Sequence, residues 1–194
     1  MPRSPKREQL LEATKELLWE VGFEAMSPRD IQERSAARPG SLYHHFPSKL
    51  ALAGEAMSEL AEQDIARINA FFADDGPPLE VVRRYLQLKR DSLRGCRFGR
   101  LVNEASIEHE ELRGPVKAFF DAIRENLTRK LTEAKAAGAL PSEINPEALA
   151  ISMLALIQGG AVLARAYQDE ALYENAIEGA LSLLLDASRA AGQG

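Results

Sequence analysis

Cysteine is almost absent: Cys96 stands alone among 194 residues. That excludes an internal disulfide framework and a Cys-based zinc site, and it reads as an intracellular chain. Aromatic residues make up only 6% of the sequence, so any aromatic cluster stands out against the background. Strict apolar/polar alternation does not persist beyond a few residues, which leaves no candidate strand. No apolar run is expected to reach the ~18 residues of a membrane span, and Glu8, Glu12, Glu16 and Glu20 interrupt the first apolar stretch where a secretory signal would need to be uncharged. The expectation is a cytoplasmic protein with no membrane partner. Catalytic signatures are missing too. There is no strand, glycine loop and helix for phosphate, no HExxH, and no Ser/His/Asp or Cys/His set with workable spacing. His44 and His45 are neighbours that would point about 100° apart on a helix, and His109 in IEHEEL reads as a solvated loop residue. Neither a metal site, a cofactor nor an enzyme activity is expected.

What is present is helical period. Leu10, Leu11, Ala13, Leu17, Leu18 and Val21 form the apolar face of a first helix that stops at Gly22. Ser27, Pro28 and Asp30 supply a cap, a first-turn proline and an early acid for a short second helix running to about Arg34. A third runs from about Pro39 to His45, where Pro47 forbids simple continuation. Ser48 caps a long fourth helix ending at Phe72, before DDGPP. Beyond it the pattern gives a fifth helix over 79–93, a sixth over 97–108, a seventh over 111–137, an eighth from Asn145 and Pro146 through Tyr167, and a last one over 170–190. The fold class is therefore all-α: a tri-helical head over residues 1–50 and a six-helix body over 51–194. Charge divides along the same line, with 8 Lys/Arg against 7 Asp/Glu in residues 1–50 and 16 against 22 in the rest. An acidic body with a relatively basic head fits nucleic acid if Arg3, Lys6, Arg7, Arg38 and Lys49 gather on one face.

Two short helices joined by a tight turn and braced by a longer one make a helix-turn-helix unit, whose second short helix enters a DNA major groove. Arg38 can reach a phosphate or a guanine edge. Ser41 and His44 can hydrogen-bond bases or phosphates, Tyr43 offers a hydroxyl, and Gly40 leaves room for the duplex. Leu42 and Phe46, four apart, face the core. Lys49 opens the fourth helix, where a phosphate would find a positive charge and free N–H groups.

The run SPRDIQERSAARPGSLYHHFPSKLAL resembles the helix-turn-helix signature of the TetR family of bacterial repressors. Ser27, Ile31, Gly40, Ser41, Leu42, Tyr43, His45, Phe46 and Lys49 carry the match. Two positions depart from it: Ala36-Ala37 stands where the family has Gly-Val, and Gln32 where it has Ala. Further on, GCRFGRLVNEAS at 95–106 is similar to the LmrA/YxaF-like branch. The resemblance implies a ligand-responsive repressor that binds palindromic operator DNA as a homodimer, with Ser27, Arg38, Pro39, Gly40, Ser41, Tyr43, His44 and Lys49 at the DNA. It also implies that the last two helices pair between subunits, for which Leu154, Gly159, Val162, Ile177, Ala180 and Leu184 are the candidates. A small apolar or aromatic effector is expected in the body near Asn103, Ser106, Phe119, Phe120 and Gln158. Two alternatives stand beside this reading: a helical scaffold that does not bind DNA, and a regulator sensing oxidants or electrophiles through Cys96, whose neighbours Arg94, Arg97 and Arg100 would favour thiolate.

Overall fold

The computed structural model describes residues 5–36 and 41–191, and among them there is no strand. Ten α-helices follow one another: α1 (Pro5–Glu20), α2 (Gly22–Ala25), α3 (Pro28–Arg34), α4 (Ser41–His45), α5 (Lys49–Phe72), α6 (Pro78–Leu86), α7 (Arg97–Leu101), α8 (Glu110–Ala136), α9 (Pro146–Tyr167) and α10 (Ala171–Ala191), with one 3-10 turn at Ala105–Glu108. They form two compact units. Residues up to Asp64 make the first together with Arg97–Phe119, and Ile65–Cys96 make the second together with residues from Phe120 onward. Both units are discontinuous in sequence.

Local chemistry sets most boundaries. Ser27 caps α3 reciprocally: its hydroxyl accepts from the Asp30 N–H at 3.2 Å while the Asp30 carboxylate accepts from the Ser27 N–H at 2.8 Å. Ser48 Oγ accepts from Ala51 N at the start of α5, and Asn145 accepts from Glu147 N and Ala148 N at the start of α9. Gly138, at φ 75°, turns the chain out of α8.

Three departures stand out, and the last two have identifiable causes. Residues 22–25 form an extra turn of helix that periodicity alone does not reveal. The helix expected over 79–93 ends at Leu86, because the Arg90 guanidinium folds back and donates to the carbonyls of Tyr85, Leu86 and Leu88, taking acceptors that a longer helix would use. The helix expected over 97–108 breaks after Leu101. Its next residues are drawn to α2 by two crossed bonds: Glu24 N donates to Glu104 Oε2 at 2.9 Å, and Ser106 N donates to Glu24 Oε1 at 3.0 Å.

The first unit packs around Leu10, Leu11, Leu18, Met26, Ile31, Leu42, Leu52 and Met57, all essentially inaccessible. Phe98, also buried, stacks on Phe119 with ring centroids 4.0 Å apart. In the second unit α9 and α10 lie side by side, with Gly160 close against Ala176 and Tyr173; Ala150, Met153, Ile157, Gly160 and Ala164 are buried on one helix and Tyr173, Ile177, Ala180 and Leu184 on the other. One sequence expectation is overturned here. Residues 148–164 carry no charge, and α9 is by length and composition apolar enough to cross a membrane. Most of that stretch is not buried within the subunit.

Candidate nucleic-acid interface

Helix α4 is short, and its orientation is fixed by what it buries. Leu42 is fully buried and Phe46, just past the helix, is nearly so, with Phe46 N donating to Leu42 O at 2.8 Å. Ile31 from α3 lies in the same core. With that side committed, Tyr43 (58% exposed) and His44 turn to solvent, and Ser41 sits at the margin. His44 and His45 meet edge to face at 5.0 Å. A helix whose apolar residues are all inside and whose free face carries a hydroxyl, a phenol and an imidazole presents hydrogen-bonding groups of the kind that read base edges and phosphates. Arg38, Pro39 and Gly40 lie outside the described residues.

The turn before α4 carries a local cost. Ala36 sits at φ 50°, the left-handed region where a Cβ crowds the following carbonyl. This is the position where the sequence departs from a glycine. Ser27 is occupied as a cap, and the Ser27 amide, with its hydroxyl second, holds the Asp30 carboxyl below the usual carboxylate range. On the outer face of α3, Arg29 pairs with Glu33 at 2.8 Å and Arg34 with Glu20 at 2.7 Å. Each carboxylate raises its partner guanidinium, chiefly through the hydrogen bond.

Lys49, expected at a phosphate, is turned inward. Its ammonium donates to Phe23 O and Met26 O, both at 2.9 Å, and lies 4.1 Å from the centre of the Phe23 ring. Arg7 is likewise engaged, 2.5 Å from the Glu55 carboxylate and 4.7 Å above the Phe46 ring.

A model of bacterial regulatory proteins of the tetR family matches residues 10–56, and one of the tetracyclin repressor-like C-terminal domain matches residues 78–180, more than half of the chain. The chain belongs to the TetR family. It is a DNA-binding transcription regulator and not an enzyme, and family membership favours neither the scaffold nor the Cys96 sensor. Among its relatives are the HTH-type transcriptional repressor DhaR of Mycobacterium sp. (strain GP1), 26% identical over 82% of each chain, and the HTH-type regulator YxaF of Bacillus subtilis (strain 168), 27% identical over 87% of this chain and 89% of that one. A TetR-family regulator from Agrobacterium tumefaciens, 25% identical, superposes with a TM-score of 0.82 over 94% of this chain and 97% of its own.

The TetR body holds the remaining expected residues, and the structure sorts them. Asn103 is exposed. Ser106 is buried, but its amide donates to Glu24 and its hydroxyl to Glu104 at 3.3 Å, so its polar groups are spent within the first unit. Phe119, in that unit, is committed to its stack on Phe98. Phe120 and Gln158 are half-buried in the second unit.

Of the residues expected at a dimer interface, Ile177, Ala180 and Leu184 are buried within the chain itself. Gly159 and Val162 are exposed and Leu154 is half-buried. The paired glycines divide as well. A Cβ on Gly160 would lie 2.8 Å from Ala176 Cβ, whereas one on Gly159 would meet nothing within 4 Å.

Two clusters carry no sequence signal. One is the crossed bonding of Glu24 and Glu104. The other sets the Arg90 guanidinium 5.0 Å from the Tyr85 ring and 3.1 Å from the Tyr173 hydroxyl. Burial raises both phenols above the ordinary tyrosine value, and Arg90 opposes the rise.

Proposed function

We propose that this TetR-family regulator is a homodimeric repressor that places one α4 in each of two successive major grooves and is released by a small apolar or aromatic effector. The separation of faces on α4 carries the DNA part of the reading: Leu42 and Phe46 anchor it while Tyr43 and His44 are free. Ser41, Tyr43 and His44 face the groove, Ser27 approaches a phosphate from the start of α3, and Arg38, Pro39 and Gly40 are assigned to the DNA on the resemblance alone.

The open side of α9 supports the dimer. Ile151, Val162, Leu163 and Tyr167 are 48–72% exposed, and Gly159 lies on the same side. A contiguous apolar face of this kind is the core of a subunit interface when a second copy covers it. Half-buried Phe120 and Gln158, an aromatic surface and an amide, are the residue types an apolar or aromatic effector would use. A tenfold loss of operator affinity requires the effector to prefer the released conformation by about 1.4 kcal/mol. Operator binding places the protein in the cytoplasm.

Selection from a randomised duplex library, followed by footprinting and sedimentation, tests this. The expected result is an inverted repeat with half-sites centred about 34–36 Å apart, bound by a dimer. Absence of sequence enrichment, or a monomer at low micromolar concentration, would refute it.

A further inference from the structure

We propose that Arg90 is the anion-binding group of an effector site in the second unit, and that the effector it takes is a carboxylate carried on an apolar or aromatic body. This rests on the effector-release reading above and adds a charge to it. The arginines of α6 are neutralised where they stand: Arg83 pairs with Glu80, and Arg84 with Asp74 at 2.7 Å. Arg90, a few residues on, has no carboxylate partner among the described residues. Its Nη1 and Nη2 donate to the carbonyls of Tyr85, Leu86 and Leu88 and to the Tyr173 hydroxyl at 3.0–3.2 Å, and none of these bonds uses Nε–H. Such neutral acceptors hold the guanidinium in place and leave its charge whole.

The surroundings favour an anion with an apolar body. Tyr85 and Tyr173 are both buried. The Tyr85 ring lies 5.0 Å from the guanidinium, 4.7 Å from the Phe72 ring and 5.7 Å from the Phe71 ring. Both phenols are held above the ordinary tyrosine value by burial, so they stay protonated at neutral pH. The Tyr173 oxygen accepts from Nη1, and among the described residues no acceptor takes its own proton. A cation and a phenol O–H side by side supply two donors for one carboxylate, and hydrogen bonds to an ionised acceptor are roughly twice as strong as neutral ones. The same guanidinium caps the end of α6 and ties it to Tyr173 on α10. A carboxylate therefore competes with the α6 carbonyls for Arg90, which gives the ligand a differential interaction with two arrangements of that helix end.

Benzoate, cinnamate and hexanoate, each beside its uncharged primary amide, test this by calorimetry and thermal unfolding of the full chain without DNA. At least one carboxylate should bind with a Kd below about 1 mM and raise Tm, and its amide should do neither. Arg90→Gln should weaken that carboxylate at least about tenfold. Tyr173→Phe, which keeps the charge and the ring, should weaken it about threefold or more. The same carboxylate should then release a duplex selected by the wild-type protein.

The proposal is overturned if none of the three carboxylates binds, if the amides bind equally, or if Arg90→Gln lowers Tm while keeping wild-type affinity, the pattern of a helix cap alone. If Arg90→Gln does not fold, Tyr173→Phe decides, and wild-type affinity in that variant overturns the assignment. Carboxylate binding through Arg90 that leaves the duplex bound upholds the anion site and overturns its part in release. If no duplex is selected at all, operator binding fails while the calorimetry still reports on Arg90.

Discussion

Neighbouring glycines in α9 should respond to the same substitution with opposite sign. Alanine in place of glycine within a helix gains about 0.8–1.0 kcal/mol at either position. At Gly160 the new methyl would lie 2.8 Å from Ala176 Cβ, with Tyr173 Cδ2 at 3.3 Å and Tyr173 Cα at 3.6 Å. Carbon atoms settle about 3.5–4.0 Å apart, so roughly an ångström is missing. Neither Cβ can rotate away, since each is fixed to its helix, and α9 and α10 must separate where they meet. Overpacking of this kind costs about 1–3 kcal/mol, and the absence of a flexible neighbour puts Gly160→Ala at the upper end, a net loss of about 1–2 kcal/mol. Gly159→Ala meets nothing and retains the propensity gain. In a chain of this length the two variants should differ in Tm by roughly 4–12 °C, from about 2–4 °C per kcal/mol. Thermal unfolding followed by circular dichroism at two protein concentrations tenfold apart separates subunit stability from association. Gly160→Ala at or above the wild-type Tm would refute the close-approach argument. Gly159→Leu extends the comparison: it should leave the subunit folded and shift the sedimentation equilibrium toward monomer, and unchanged association would remove Gly159 from the interface.

Ala36→Gly should stabilise the protein by about 0.5–1 kcal/mol, since relief of a left-handed alanine outweighs the added chain entropy, and a destabilised variant in urea titration would mean the turn is unstrained. Ser41→Ala and His44→Ala should each cost selected-duplex binding about 1–3 kcal/mol with Tm unchanged, and loss of Tm without loss of binding would make these residues structural. The Asp30 carboxyl titrates below its unfolded value, so its contribution is present above the ordinary carboxylate pKa and is lost as pH falls through the lowered one. Stability should decline below about pH 4, and Asp30→Asn should flatten that decline in thermal melts taken from pH 6 downward.

Much of this molecule is legible in residues close together in the chain. Ser27, Pro28 and Asp30 specify the start of α3 within four positions, and Asn145 with Pro146 does the same for α9, because a cap is a bond between a side chain and a backbone group one turn away. The burial of Leu42 and Phe46 and the freedom of Tyr43 and His44 follow from helical spacing. Family membership is legible for the same reason, being carried by a continuous run.

The tertiary structure decided the rest. Lys49 has a four-carbon stem that reaches several partners, and only the arrival of Phe23 and Met26 beside α5 gives its charge to two carbonyls. Arg90 ends α6 by folding back on it, although 79–93 has helical period throughout. Helix α9 is apolar around most of its circumference, so periodicity does not say which side α10 covers. Packing does, and it separates Gly160 from Gly159 and places Ile177, Ala180 and Leu184 inside the subunit. The division has a physical cause: local bonds and spacing depend on neighbours a turn away, whereas the choice among equally apolar faces, or among acceptors within reach of a long cation, is made by residues distant in sequence.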